Sequence, residues 1–270
     1  MPPSIRGPIV AKRLAFFPVS SNVNRESIPW VLFVSFVAPH FPLTAPARWF
    51  YRYWREDLPL PKLYTTDVRP HHPFIDEYAR TVDYDPHFSS VADVKRAIAG
   101  YSGLVSSLDE NIGAVLHALS AAGLDGETRV LYTSDHGDNA GARGLWGKST
   151  FYEESAGVPL IVAGPGVASG RVVSTPVSHI DCAPTILEAT GLPERVGGRP
   201  LPGVSLFAVA EGATPARPVI SEYHAIGSTA GAFMAARVDR RLGRHRVACQ
   251  GVRVAQAARE APTSHSIPQC

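Results

Sequence analysis

The sequence predicts an α/β fold in which a mostly parallel sheet is flanked by helices. Three observations favour this class. Residues 30–37 form a strongly apolar run without alternation, broken only by Ser35, which is typical of a strand buried on both faces of a sheet. Residues 93–122 repeat apolar side chains at spacings of three and four, as an amphipathic helix does. Further apolar runs of strand length then alternate with a second helical segment, and 270 residues are enough for one large domain of this kind.

The first half of the chain supplies one strand, one long loop and the clearest helix. The strand at residues 30–37 ends just before His40. Residues 41–92 are rich in proline and aromatic residues, so we expect a long loop with short turns, and loops of that length tend to be functional. The helix over residues 93–122 ends at Gly123, a residue suited to the backbone conformation that closes helices.

The second half continues with shorter elements. Residues 129–133 and 158–163 are predicted to be strands because they are short apolar runs, and residues 183–190 a short helix. Residues 172–177 and 218–222 are candidates for two further strands. In mostly parallel sheets, ligand sites lie beyond the carboxyl ends of the strands, so the residues directly after each strand are of interest.

By composition the chain divides into three regions. Residues 1–27 are polar and irregular, residues 28–235 carry the predicted α/β domain, and residues 236–270 form a basic tail. The net charge of the whole chain is only +2, whereas the tail holds seven arginines and two acids, an excess of 7 − 2 = +5. The tail has no aromatic residue and no clear periodicity, which favours disorder. A basic arm for nucleic acid or membranes is the alternative.

The bulk composition also bears on the cellular setting and on partners. No apolar stretch reaches the roughly 18 residues of a membrane helix, and residues 1–20 lack the continuous apolar segment of a secretory signal. The sequence therefore predicts a cytoplasmic protein with neither a membrane nor a nucleic-acid partner, and it does not indicate an oligomeric state. The cysteines fit neither a disulfide framework nor a zinc cluster; they are Cys182, Cys249 and Cys270.

Polar groups suited to metal-assisted chemistry come after two of the predicted strands. Asp135 and His136 come directly after residues 129–133, and a carboxylate and a neutral imidazole can both bind a divalent cation. A helix-capping aspartate beside a surface histidine is the alternative. Lys148 could neutralise an anionic group near a metal, and His40 could protonate a leaving-group oxygen. A solvated lysine and a loop histidine bonded to the backbone are the corresponding structural alternatives.

Several motifs in order resemble the sulfatase family, which is part of the alkaline phosphatase superfamily. Residues 34–43, Val-Ser-Phe-Val-Ala-Pro-His-Phe-Pro-Leu, match the family's internal strand and histidine loop, and residues 133–138, Thr-Ser-Asp-His-Gly-Asp, match its distal metal motif. Residues 144–148 and 158–162 match the family's next two segments, and residues 221–225 resemble the choline-sulfatase-like branch. The resemblance covers roughly residues 28–235 and implies a large α/β sandwich, the alkaline-phosphatase fold.

The resemblance also implies roles for individual residues. Asp135 and His136 would be metal ligands, Lys148 would contact the sulfate and the nucleophile, and His40 would bind sulfate or assist the leaving group. The implied metal is divalent: calcium by family, with manganese or zinc as alternatives because imidazole suits those ions better. The implied partner is a small anionic sulfate ester, and the implied class of enzyme is a sulfuric ester hydrolase.

The sequence departs from the family pattern at the nucleophile. The family uses a formylglycine made within a Cys-x-Pro-Ser-Arg pattern near its N-terminus, together with an earlier Asp-Asp pair of metal ligands. Residues 1–27 contain neither cysteine nor aspartate. Cys182 imitates the pattern superficially, but Ile186 stands where the arginine belongs and the segment comes after the metal motif. We therefore expect an N-terminally incomplete domain, a fragment that is inactive on its own.

The residues support three hypotheses of function. The first is a metal-dependent hydrolase of sulfate monoesters, with phosphate or phosphonate monoesters as neighbouring substrates of the same class. The second is a catalytically dead fragment or binding module that retains half of a metal site. The third, a basic-tailed nucleic-acid binder, is disfavoured because the excess positive charge is confined to the tail.

Overall fold

The computed structural model describes residues 9–14, 29–193, 195–214, 217–224, 232–237 and 250–251. These residues form a mixture of helices and short strands. The helices are α1 (Ala47–Trp54), α2 (Pro73–Thr81), α3 (Val91–Ala121), α4 (Glu153–Ala156), α5 (Cys182–Ala189) and α6 (Leu206–Glu211). The strands are β1 (Ile9–Leu14), β2 (Val31–Phe36), β3 (Val130–Thr133), β4 (Leu160–Ala163), β5 (Arg195–Val196), β6 (Arg199–Pro200), β7 (Val219–His224), β8 (Ala232–Arg237) and β9 (Gln250–Gly251).

The α/β class is confirmed, with a particular arrangement of the strands. Within the described residues β1 pairs with β2, β3 with β4, β5 with β6, and β8 with both β7 and β9, and every one of these pairings is antiparallel. The mostly parallel sheet that we expected is therefore not seen among these residues. A parallel pair requires a long crossover, usually a helix. The three helices α1 to α3 lie between β2 and β3, and these two strands belong to different sheets.

The long helix α3 organises the first half of the structure, as the sequence predicts. It begins after Ser90, whose side chain accepts a hydrogen bond from the backbone of Asp93, and it ends within one residue of the predicted position. Two glycines let the segment after β2 lie against it. A Cβ atom on Gly100 would stand 2.4 Å from the carbonyl oxygen of Leu43, and one on Gly103 would stand 2.8 Å from the Cβ of Ala45.

The segment from residue 41 to residue 92 is more regular than the predicted loop. It contains α1, α2 and two 3-10 turns, and α1 packs against α3. Prolines mark the starts of both helices, because Pro46 precedes α1 and Pro73 is the first residue of α2. Proline at these positions favours a helix start, so the proline content that suggested a loop reflects short, well-delimited helices instead.

Three other expectations are corrected. Residues 172–177 form no strand, and Val172 is 93% exposed. The strand at residues 30–37 is present as β2 but is not buried on both faces, since Leu32 and Phe33 are 47% and 55% exposed. It pairs along one edge with β1, which itself lies within residues 1–27, where the sequence suggested irregular structure. Of the basic tail, all but the end of β8 and the strand β9 falls outside the described residues.

The described core lies where α2 and α3 meet the segment after β3. Its most buried apolar side chains come from all three parts; they include Phe74, Tyr78, Val94, Leu104, Leu145 and Trp146. The ring of Trp146 stacks on Phe88, with 4.9 Å between the ring centroids. This packing supports the segment that ends at Lys148. None of the helices that the structure describes is long and apolar enough to cross a membrane.

Candidate functional site

The structure brings the four predicted site residues into one cluster. The Nζ atom of Lys148 lies 2.9 Å from Nε2 of His40, although 108 positions separate the two residues in the chain. The imidazole rings of His40 and His136 meet edge to face, with 6.1 Å between their centroids. The Nε2 atom of His136 lies 3.5 Å from Oδ2 of Asp135. Two strand ends and one loop thus deliver four polar side chains to the same place.

Neighbouring carbonyl oxygens indicate which ring nitrogen carries the hydrogen in each neutral histidine. Nδ1 of His40 lies 2.8 Å from the carbonyl oxygen of Phe41, and Nδ1 of His136 lies 2.8 Å from that of Gly137. A carbonyl oxygen only accepts hydrogen bonds, so in each ring Nδ1 carries the hydrogen. In the neutral rings Nε2 therefore keeps its lone pair. That of His40 accepts a hydrogen bond from the ammonium of Lys148, and that of His136 is available as a metal ligand.

The donor atoms of Asp135 and His136 suit a divalent cation. The carboxylate of Asp135 is 84% exposed and is therefore open to a ligand, and the imidazole of His136 is held in the orientation that presents Nε2 beside it. An imidazole nitrogen and a carboxylate oxygen are both ligands that divalent cations accept. Among the residues that the structure describes, no group of three or more histidine, cysteine, aspartate or glutamate side chains is placed to hold a metal. By themselves Asp135 and His136 would supply two of the four ligands of a typical four-coordinate site.

Hydrogen bonds to the backbone hold this pair in place. The hydroxyl of Ser134 donates to the carbonyl oxygen of His136 over 2.9 Å, and the backbone N–H of His136 donates to Oδ1 of Asp135 over 3.0 Å. The next residue, Gly137, donates its N–H to the carbonyl oxygen of Ser155 at the end of α4. A Cβ atom at position 137 would stand only 2.1 Å from the carbonyl oxygen of Glu154, which explains the glycine after Asp135 and His136.

The same segment folds back so that Lys148 returns to the cluster. The carboxylate of Asp138 accepts hydrogen bonds from the backbone N–H groups of Ala140 and Gly147, over 2.7 and 3.0 Å. The side chain of Asn139, which is 1% exposed, donates to the carbonyl oxygen of Gly147 over 2.8 Å. Both side chains therefore stabilise the loop between His136 and Lys148.

Sequence reasoning missed two residues that contact this loop directly although they lie far from it in the sequence. The hydroxyl of Tyr78 donates to the carbonyl oxygen of Lys148 over 3.1 Å. The guanidinium of Arg69 lies against Gly144, where a Cβ atom would stand 2.2 Å from its Cζ, and it donates to both carboxylate oxygens of Asp85 over 2.7 and 2.8 Å. The hydrogen bonds from Arg69 hold the pKa of Asp85 below its ordinary value. Neither residue lies in a motif, so no spacing in the sequence marks it.

Comparison with known proteins agrees with the resemblance to the sulfatase family. A family model described as Sulfatase matches residues 13–192. The choline-sulfatase of Rhizobium meliloti (strain 1021) is 36% identical over 211 residues, which are 77% of this chain and 41% of that protein. Arylsulfatase K of Danio rerio is 35% identical over 167 residues, which are 60% of this chain and 32% of that protein.

Solved structures of phosphonate monoester hydrolases share the fold of this chain. The phosphonate monoester hydrolase SpPMH from Silicibacter pomeroyi has a TM-score of 0.63 and 30% identity, covering 74% of this chain and 44% of that one. The phosphonate monoester hydrolase of Agrobacterium radiobacter also has a TM-score of 0.63, at 24% identity, covering 77% of this chain and 47% of that one, and it supports the fold alone. The chain spans less than half the length of each of these relatives.

Proposed function

This chain belongs to the sulfatase family, within the alkaline phosphatase superfamily, and from that premise we propose that its polar cluster is part of a site for the hydrolysis of sulfate monoesters. The observation that carries the proposal is the contact of 2.9 Å between Lys148 and His40, made beside the Asp135–His136 pair. A cation, an imidazole and a pair of metal ligands around one point are the groups that bind a tetrahedral oxyanion and stabilise charge on it.

Each residue has a defined task in this proposal. Lys148 binds an oxygen of the sulfate group through its ammonium, which also compensates the charge that develops as the ester bond breaks. Nε2 of His40 holds a lone pair in the neutral ring, because the Nδ1 hydrogen is committed to Phe41, and it must take up a proton before it can give one to the leaving-group oxygen. The ammonium of Lys148, which is hydrogen-bonded to this nitrogen, is the neighbouring proton donor. Asp135 and His136 hold a divalent cation, which supplies Lewis acidity toward an oxygen of the ester when it is bound.

We further propose that this chain alone binds the anion without turning it over. The 270 residues contain no Cys-x-Pro-Ser-Arg pattern, and the only cysteine among the described residues, Cys182, starts α5. A catalytically dead binding module with half of a metal site is the alternative function that the same observations allow. If the cluster is part of a hydrolase site, it would support ester hydrolysis once the missing nucleophile is supplied. If it is only a binding module, it would bind the anion and still not hydrolyse it.

A second substrate class has specific support. The solved phosphonate monoester hydrolase from Silicibacter pomeroyi is 30% identical and shares the fold. Sulfate and phosphonate monoesters both present anionic oxygens around a tetrahedral centre, so the same lysine and metal ligands serve either. The choline-sulfatase relative, with 36% identity, favours the sulfate ester as the first choice.

Anion binding tests the proposed site directly. We expect inorganic sulfate, titrated by calorimetry in the presence of Mn²⁺, to bind the native chain and to lose roughly tenfold or more in affinity in Lys148→Ala, because an ionised hydrogen-bond donor is removed. Lys62→Ala is the matched control, since this exposed lysine is paired with Glu154. Equal sulfate affinity in the native chain and in Lys148→Ala would contradict the proposal. Tighter binding of methylphosphonate than of sulfate would favour the second substrate class.

A further inference from the structure

A third histidine, His179, contacts the segment that carries Asp135 and His136, which we call the metal pair. The Nε2 atom of His179 lies 2.7 Å from the carbonyl oxygen of Ser134, across 45 positions of the chain. Because a carbonyl oxygen only accepts, Nε2 of His179 carries the hydrogen and donates it. Ser134 is the residue directly before Asp135, and its hydroxyl is bonded to the carbonyl oxygen of His136. The contact therefore acts on the peptide unit that leads into Asp135, one residue before His136.

The turn that presents His179 is firmly anchored. His179 opens a 3-10 turn, His179–Asp181, that leads directly into α5. Ser178 and Asp181 form a reciprocal capping box at the start of this turn, in which the side chain of each accepts from the backbone of the other. Local hydrogen bonds therefore stabilise the turn independently of the contact with Ser134.

Asp181 ties this turn to two distant segments. Its carboxylate is completely buried and accepts hydrogen bonds from the backbone N–H groups of Ser178 and Val204, both over 2.9 Å, and it forms an ion pair with Arg217. The carbonyl oxygen of Ile180 would stand 2.4 Å from a Cβ atom on Gly203, so the backbones pack closely there as well. A buried carboxylate with this many donors keeps its position, because losing one partner leaves an uncompensated charge.

These contacts lead from the protein interior to the metal pair. Arg217 pairs with the buried carboxylate of Asp181, and Asp181 caps the turn that contains His179. His179 in turn donates a hydrogen bond to the carbonyl oxygen of Ser134. Asp135 itself is largely exposed, so the position of its backbone determines where its carboxylate can reach. A site with only two ligands depends strongly on how well those ligands are held in place before the metal arrives.

We infer that His179 is a positioning residue for the metal pair, which it orients through the carbonyl oxygen of Ser134. The inference rests on the proposed function, because it takes Asp135 and His136 to be metal ligands. It assigns His179 no contact with substrate or metal, since its Nε2 hydrogen is committed to Ser134.

The test is a titration of the purified chain with Mn²⁺ alone, in which free Mn²⁺ is measured by electron paramagnetic resonance at neutral pH. We expect His179→Leu to weaken Mn²⁺ binding roughly three- to tenfold, the range that the net contribution of one hydrogen bond predicts. His179→Gln should restore the affinity to within about twofold, because an amide N–H reaches the same acceptor. His71→Leu, which removes an imidazole whose side chain is 87% exposed, is the control for non-specific binding to histidine and should have no effect.

The outcomes separate this inference from the proposed function. If His136→Ala abolishes Mn²⁺ binding while His179→Leu binds as the native chain does, His179 has no positioning role and the metal pair stands. If His136→Ala binds Mn²⁺ normally, both ideas fail. Should the melting temperature show that His179→Leu is unfolded, His179→Asn replaces it, because this shorter amide stays polar and cannot reach Ser134. Native affinity in a folded His179→Asn would then overturn the inference.

Discussion

At the scale of single residues, the cluster shows what a motif can predict and what it cannot. Asp135 and His136 can be recognised because they come directly after an apolar run. His40 and Lys148 can be recognised because they precede and follow that pair in the order of the sulfatase motifs. The identity of the hydrogen-bonding atoms is different. Nε2 of each histidine is left with its lone pair because Phe41 and Gly137 place carbonyl oxygens at Nδ1. No sequence pattern encodes the direction of a backbone carbonyl, since it depends on the local fold.

Cys182 illustrates the opposite case, in which a reactive residue type is not placed for reaction. It is half buried at the start of α5, and burial, followed by the adjacent carboxylate of Asp181, raises the pKa of its thiol. A thiol with a raised pKa holds less of the nucleophilic thiolate at neutral pH. The structure therefore agrees with the sequence argument that Cys182 is not the nucleophile of the family.

We expect this chain to show little or no hydrolysis of an aryl sulfate with Mn²⁺ or Ca²⁺ present, and Cys182→Ala to leave any residual rate unchanged. The physical reason is that no described nucleophile with a lowered pKa faces the cluster. Release of the phenol, followed by absorbance, measures the rate. Robust metal-dependent hydrolysis that His136→Ala abolishes would show that the chain holds a complete catalytic site.

At the scale of elements, the segment between β3 and β4 depends on partners that are remote in the chain. Tyr78 in α2 donates a hydrogen bond to the backbone of Lys148, and the guanidinium of Arg69 packs against Gly144. The sequence predicts a loop around Arg69 and Tyr78 because proline and aromatic residues are frequent there. The prolines instead delimit α1 and α2. Their packing could not be predicted because each helix is short, and short helices are stabilised mainly by tertiary contacts.

The Arg69–Asp85 pair gives a pH-dependent prediction for this region. The hydrogen bonds from Arg69 lower the pKa of Asp85 from its ordinary 3.8, more than burial raises it. A carboxyl whose pKa is lower in the folded state stabilises that state above its unfolded pKa and loses the contribution as pH falls through the folded pKa. We therefore expect Asp85→Asn to lower the melting temperature by a few degrees at neutral pH, a loss of under about 1 kcal/mol for a pair this exposed.

The difference between Asp85→Asn and the native chain should shrink as the pH falls below 3.8 and vanish in strong acid. Asp57→Asn is the control, because Asp57 pairs with Lys95 but its side chain is 95% exposed, and its effect should be small at every pH. Thermal unfolding followed by circular dichroism provides the measurement. A stability difference for Asp85→Asn that stays constant into strong acid would mean that the ion pair is not its source.

At the scale of the whole molecule, the class of fold and the long helix were predictable, and the pairing of strands was not. Periodicity within a segment reports which face of a helix is apolar, so the helix predicted over residues 93–122 agrees closely with α3, which spans Val91–Ala121. Strand pairing joins segments that are far apart in the chain, and a run of apolar residues carries no record of its partner. The half-exposed side chains of β2 show the same limit, because the apolar run was correct as a strand and wrong as a buried one.

The central claim is that Asp135 and His136 form a metal site of two protein ligands, next to the Lys148–His40 contact. Isothermal titration of the native chain with Mn²⁺ tests it most directly, with His136→Ala and Asp135→Ala alongside. We predict one weak site, with a dissociation constant well above the submicromolar range, that either substitution abolishes, because two ligands leave most of the coordination sphere to water. Submicromolar affinity, or binding that survives both substitutions, would contradict the claim.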